Sequence, residues 1–202
     1  MLFIIIKPLL ILYKSIFQLH MKIYDCFMFF DEDMLLDLRL NIMDKYVDKF
    51  VITEANYMHS GRPKKLNFDI NKFPKYKDKI IYKVVDKQPI NIVPLNKNDD
   101  EKTREVKLIN NSNKREHYQR EMIGECLNDA DYDDFIIIGD VDEIPNLDAI
   151  ILKKIKKKLV CFKQKMFFYK FNLLYENIAW YGSRVCKKKT FNISAVVKRY
   201  KT

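Results

Sequence analysis

Glycine is scarce: Gly61, Gly124, Gly139 and Gly182 are all that the 202 residues contain. None belongs to a GxGxxG pattern or to a loop ending in GK followed by Ser or Thr, so the two common glycine-built phosphate cradles are excluded. A nucleotide diphosphate held by this chain would need basic side chains and a cation to neutralise it. The four cysteines, Cys26, Cys126, Cys161 and Cys186, are far apart and form no CxxC or Cys/His cluster, which argues against a structural zinc site. Cys26 and Cys161 lie in apolar runs, where a free cysteine behaves as a small buried hydrophobe. Nothing in this pattern demands an oxidising compartment. Acidic excess is also missing, since 37 Lys and Arg face 27 Asp and Glu for a formal net charge of +10. The basic residues read as scattered along the chain. Such charge favours phosphate-bearing small molecules, nucleic acid or anionic membranes without choosing among them, and a solvated surface accounts for it equally.

Hydrophobic residues at 48% and charged residues at 32% describe a folded globular protein, and 202 residues fit one domain with a real core. The opening MLFIIIKPLLILYKSIFQLH approaches the length of a bilayer span, but Lys7, Pro8 and Lys14 interrupt it. It lacks the basic start and small-residue cleavage site of a signal peptide. Residues 1–20 are therefore either a weak membrane anchor of type II orientation or an upstream extension ahead of a start at Met21. The corresponding locations are peripheral membrane association or the cytoplasm, and residues 21–202 form the expected domain.

From Met21 the pattern alternates. IYDCFMFF, KFVITEA and KIIYKVVD read as strands, with a basic loop, HSGRPKKLNF, between the last two. DEDMLLDLRLNIMDKY reads as a helix with Leu35, Leu36, Leu38, Ile42 and Met43 near one face. Residues 87–114 lose periodicity and read as a loop, followed by a helix over REHYQREMIGECLNDA that points Tyr118, Met122, Ile123 and Leu127 inward. IPNLDAIILKKIKKKL reads as a further helix with Ile151, Leu152, Ile155 and Leu159 inward. VCFKQKMFFYKFNLLYENIAWYGSRVCKKK suits a hairpin. Strand, helix, strand predicts an α/β fold.

The chemistry concentrates in FIIIGDVDEIP, residues 135–145. A continuous apolar strand is typical of one covered on both faces, and ligands of open α/β sheets gather at the carboxyl ends of such strands. Gly139 lets the backbone bend there. Asp140, Asp142 and Glu143 then crowd three carboxylates that repel unless a cation or a shared proton relieves them. Hard oxygen ligands suit Mg2+ or Mn2+, with Asp140 and Asp142 as the metal ligands. Arg62, Lys64 and Lys65 in the basic loop, and Arg115 and Arg120 on the helix before the strand, are candidates for neutralising phosphate.

In order along the chain, IYDCFMFFDEDMLLDLRLNIMDKYVDKFVITEANYMHSGRPKKLNF, REHYQRE, DDFIIIGDVDEIP and AWYGSRV resemble the blocks of glycosyltransferase family 17. That family includes enzymes adding a bisecting N-acetylglucosamine to N-glycans. The resemblance implies a GT-A-type nucleotide-diphospho-sugar transferase fold, a Rossmann-like mixed sheet flanked by helices. It also implies inverting transfer of N-acetylglucosamine or a similar sugar from a UDP-sugar to a glycan or glycoprotein acceptor, with no nucleic acid as partner. Carried onto this chain, Asp140 lies near the ribose and metal, Asp142 is the more direct ligand, and Glu54 matches a position near the donor pocket. Glu143 is a candidate base by proximity alone. His59 reads as a loop hydrogen-bonding residue, and Trp180 either stacks on a sugar or fills the core. Family members continue past the AWYGSRV block, so a C-terminally truncated domain is expected. Two rivals remain at this level: a haloacid-dehalogenase-like phosphohydrolase using the first aspartate as nucleophile, and a non-catalytic basic membrane-surface or nucleic-acid-binding protein.

Overall fold

The computed structural model describes residues 21–170 and 172–192, and the apolar segment 1–20 lies outside them. Four parallel strands form the centre: β1 (Ile23–Met28), β2 (Lys49–Ala55), β3 (Ile80–Val85) and β4 (Phe135–Gly139). The hairpin β5 (Val160–Phe167) and β6 (Leu174–Lys187) joins antiparallel through β6, giving the order β3-β2-β1-β4-β6-β5. Two helices, α1 (Asp33–Met43) and α2 (Glu101–Glu121), complete an α/β fold with a mixed sheet.

Strand periodicity divides the core. Phe27, Phe50, Ile52, Phe135 and Ile137 meet Leu36, Leu40 and Met43 of α1 on one face. Cys26, Val51, Ile136 and Ile138 meet Ile123 and Leu127 on the other. Successive residues of a strand point to opposite faces, so FIII of β4 is buried throughout because both faces are covered. Each such side chain contributes about 1.5–3 kcal/mol by burial.

Five expectations change. The inward face of α1 is Leu36, Arg39, Leu40 and Met43, while Leu38 and Ile42 face solvent. The stretch 87–114 is not all loop: α2 begins at Glu101, with Asp100 capping it by accepting from the Thr103 backbone N–H at 2.7 Å. Beyond Glu121 the chain tightens into a 3-10 segment, Met122–Leu127. The helix expected over 144–159 reduces to two single 3-10 turns, Leu147–Ala149 and Leu152–Lys154, with Ile151 exposed. Five lysines in residues 153–158 would repel at helical spacing, and Leu147 and Leu152 instead anchor an irregular path over the core. Cys161, expected in the core, lies on the open face of β5. Among the described residues, no helix is long and apolar enough to cross a membrane.

Candidate active site

The acidic turn at residues 140–145 leaves the carboxyl end of β4, and three elements hold it. Gly139 admits the first: a Cβ there would collide with Ser183 Oγ and lie 3.1 Å from the Glu143 carboxylate. The second is Arg39 of α1. Its Nη1 donates to the carbonyl oxygens of Asp140 at 2.8 Å, Glu143 at 3.0 Å and Val141 at 3.3 Å. The guanidinium is fully buried, bonded to both carboxylate oxygens of Asp25 and 4.6 Å from the Phe27 ring centroid. A charge pair at this depth is tolerated because every donor on that side finds a partner. The third is β6, where Ser183 Oγ donates to the Glu143 carbonyl.

Arg120, at the end of α2, reaches the same turn. Its Nη2 donates to Asp140 Oδ1 at 2.6 Å and its Nη1 to Glu116 Oε1 at 2.6 Å. Burial disfavours the Arg120 cation, but the Asp140 and Glu116 charges outweigh it and raise its pKa. Arg120, Asp140 and Asp142 line a cleft of about 510 Å³, together with Glu32, His59 and Gln119. Gln119 is fixed from below by donating to the Thr53 carbonyl at 2.9 Å. Asp142 is open to solvent, yet partial desolvation in the cleft wall and then the neighbouring Asp140 charge raise its carboxyl above the ordinary value.

The other residues singled out from the sequence have different places. Glu143 is buried at 8% exposure. Its Oε2 accepts from the Asp140 backbone N–H at 2.9 Å and its Oε1 from Trp180 Nε1 at 3.0 Å, so it ties the turn to β6 outside the cleft lining. Glu54 is fully buried and pairs with Lys64. Its oxygens also accept from the backbone N–H groups of Asn67 at 2.7 Å and Phe68 at 3.0 Å and from the Tyr82 hydroxyl at 2.8 Å, so Glu54 and Lys64 together organise the basic loop. Arg115 donates to Gln88 Oε1 at 2.6 Å and to the His59 carbonyl at 3.1 Å, fixing the loop that brings His59 to the cleft. Arg62 and Lys65 are exposed on that loop, away from the cleft lining.

Asp25, Arg39 and Gln119 are not among the site residues expected from the sequence, although two of them leave a signal. Asp25 is the one charge in the strand IYDCFM, and Arg39 stands in the buried stripe between Leu36 and Leu40. A carboxylate and a guanidinium in consecutive core elements predict a pair.

For a cation the donor set is adequate but sparse. Among the described residues, no group of three or more His, Cys, Asp or Glu side chains converges as a metal site. Asp140 and Asp142 offer hard oxygens, and desolvation followed by the Asp140 charge holds the Asp142 carboxyl above its ordinary value. That matches ions such as Mg2+, which take one or two carboxylates and complete their shell with water and substrate phosphate.

A six-stranded mixed sheet flanked by helices, with a cleft of carboxylates and arginine at the carboxyl edge of its parallel strands, is the architecture of a GT-A-like glycosyltransferase. The model of glycosyltransferase family 17 matches residues 13–196, and the chain belongs to that family. No curated protein and no solved structure matches it. The protein is thus a glycosyltransferase, a class that acts between a sugar donor and a glycan acceptor.

Proposed function

We propose that this glycosyltransferase moves N-acetylglucosamine, or a similar sugar, from a UDP-sugar to a hydroxyl of a glycan or glycoprotein by inverting displacement, with Mn2+ or Mg2+ at Asp140 and Asp142. The observation that carries the reading is the convergence of Arg120 from α2 with Asp140 and Asp142 from the β4 turn in one cleft. Its volume of about 510 Å³ lies within the range of small-molecule sites.

In this reading the donor diphosphate takes over part of Arg120's hydrogen bonding, so that the guanidinium faces phosphate oxygens as well as Glu116. A divalent cation supplies Lewis-acid stabilisation of the leaving diphosphate. Arg39 keeps the carbonyls of the turn fixed, so that Asp140 and Asp142 hold their positions as negative charge develops on the leaving group. The acceptor oxygen forms its bond to the anomeric carbon as the bond to the UDP oxygen breaks, and its proton passes to a base. Glu32 and His59 line the cleft, and in this reading one of them takes that proton. Glu143, with both carboxylate oxygens engaged in holding the turn, positions the site instead.

Titration of UDP and UDP-N-acetylglucosamine, with and without Mn2+, tests the reading. Binding that requires Mn2+ and is lost in Asp142→Ala is expected. Metal-independent or absent binding by folded protein would overturn the donor and cation assignments.

A further inference from the structure

We propose that the β5–β6 arm docks this protein on an anionic lipid bilayer, aromatic tip at headgroup depth and lysines on the lipid phosphates. β6 pairs with β4 only over residues 184–187, so the ten residues 174–183 run on past Gly139 at the carboxyl edge of the sheet. At a strand rise of about 3.3 Å per residue this arm extends roughly 30 Å. Its outer part is exposed, and the tip is an aromatic cluster open to solvent. Phe168 lies 5.8 Å from Tyr169 and 5.3 Å from Tyr175 between ring centroids. Tyr169 is 96% exposed and holds φ at 59°, a left-handed conformation that a bulky side chain rarely takes. Leu173, Leu174 and Ile178 add exposed aliphatic surface.

Charge identifies the occupant. The outer arm is basic: residues 163–178 carry Lys163, Lys165 and Lys170 against Glu176, while Lys187 and Lys189 at its root are paired with Asp133. Lys163 stands beside Tyr181 in the strand register, and Lys163, Lys165 and Lys170 are all exposed. An arm-to-arm dimer would bring like charge against like, and so would residues 193–202, which carry Lys198, Arg199 and Lys201 without an acid. Protein interfaces deplete lysine, and Leu and Ile do not stack on nucleobases. Exposed aromatic and aliphatic side chains on one hairpin with exposed lysines are the composition of a bilayer-surface element, in which lysine meets anionic headgroups. The surface is distinct from residues 1–20 and independent of the donor chemistry.

The test is co-sedimentation of the full chain with vesicles of phosphatidylcholine alone and of phosphatidylcholine mixed with phosphatidylserine. Two variants accompany it: Lys163→Gln/Lys165→Gln/Lys170→Gln, and Phe168→Ser/Tyr169→Ser/Leu173→Ser. Unfolding midpoints are checked in both. Binding to the anionic vesicles is expected to fall with added salt and to drop about a hundredfold in the lysine variant, from roughly fivefold per lysine. The tip variant is expected to bind weakly at every salt concentration. Inorganic phosphate should release the protein no better than chloride of equal ionic strength. Variants that bind like the parent, equal binding to neutral vesicles, specific release by inorganic phosphate, or a variant-sensitive dimer in lipid-free solution would each overturn the proposal.

Discussion

Arg39 donates to both carboxylate oxygens of Asp25, at 2.8 Å from Nε and 2.7 Å from Nη2, with both side chains wholly buried. Because its remaining nitrogen holds three carbonyls of the acidic turn, this pair couples the core to the cleft. Removing one partner strands a buried charge, which costs about 3–5 kcal/mol. Arg39→Met should therefore lower the unfolding midpoint in denaturant sharply. The double variant Asp25→Leu/Arg39→Met should recover much of that stability, since a buried ion pair is often replaceable by apolar residues. Donor binding should stay weak in the double variant, because nothing then holds the turn. Recovery of stability and binding together would show that Arg39 is only structural.

Asp142 supplies a pH signature. Partial desolvation and the Asp140 charge raise its carboxyl, so its ionised form is disfavoured in the folded, ligand-free chain. Stability contributed at this position is present while the carboxyl is protonated and is lost as pH rises from the unfolded value through the raised folded one. At neutral pH, Asp142→Asn should accordingly raise the thermal midpoint in the absence of donor. Cation-dependent donor binding needs the carboxylate and should weaken, as pH falls, above the ordinary aspartate midpoint of about 3.9. A pH titration of UDP affinity in Mn2+, alongside scanning calorimetry of Asp142→Asn, checks both signs.

The glycines separate turn geometry from general destabilisation. A Cβ at Gly139 meets Ser183 and Glu143, while one at Gly124 meets nothing within 4 Å. Gly139→Ala should displace the acidic turn and weaken donor binding, by roughly tenfold for a loss of about 1.4 kcal/mol. Gly124→Ala should leave binding unchanged and stability equal or slightly higher. Isothermal titration of the two variants with UDP makes the comparison.

The central strands and the acidic cluster were legible because burial on both faces leaves an unbroken apolar run, as FIII before Gly139 does. The hairpin was legible through its aromatic and β-branched content. Much of α2 was not: EKTREVKLINNSNK carries few apolar residues, and its buried side chains include Asn111, Arg115, Gln119 and Arg120. Hydropathy cannot mark a helix that packs through hydrogen-bonding groups. For the same reason Arg120 was found as a phosphate candidate, but its bond to Asp140 and the Arg39 clamp were not. Spacing identifies charged residues, and only the fold decides which are partners. Glu54 and Lys64 illustrate the converse, two charges close in sequence whose pairing turns them toward their own loop.

Glu143 distinguishes a positioning residue from a base. Its two oxygens accept from the Trp180 indole and the Asp140 backbone N–H, at 3.0 and 2.9 Å. In Glu143→Gln one amide oxygen remains to accept while the amide nitrogen faces a second donor, so one bond is lost and the turn loosens. A positioning role predicts a raised donor KM, with kcat reduced less than about tenfold and its pH profile unchanged. Trp180→Phe removes the same contact from the other side and should reproduce that pattern. A general base predicts the opposite division: kcat falls by about 10²–10⁴ with the basic limb of the pH profile altered, KM is little changed, and Trp180→Phe remains active. Steady-state kinetics of the two variants across pH decide between them, and the shared phenotype is the expected result.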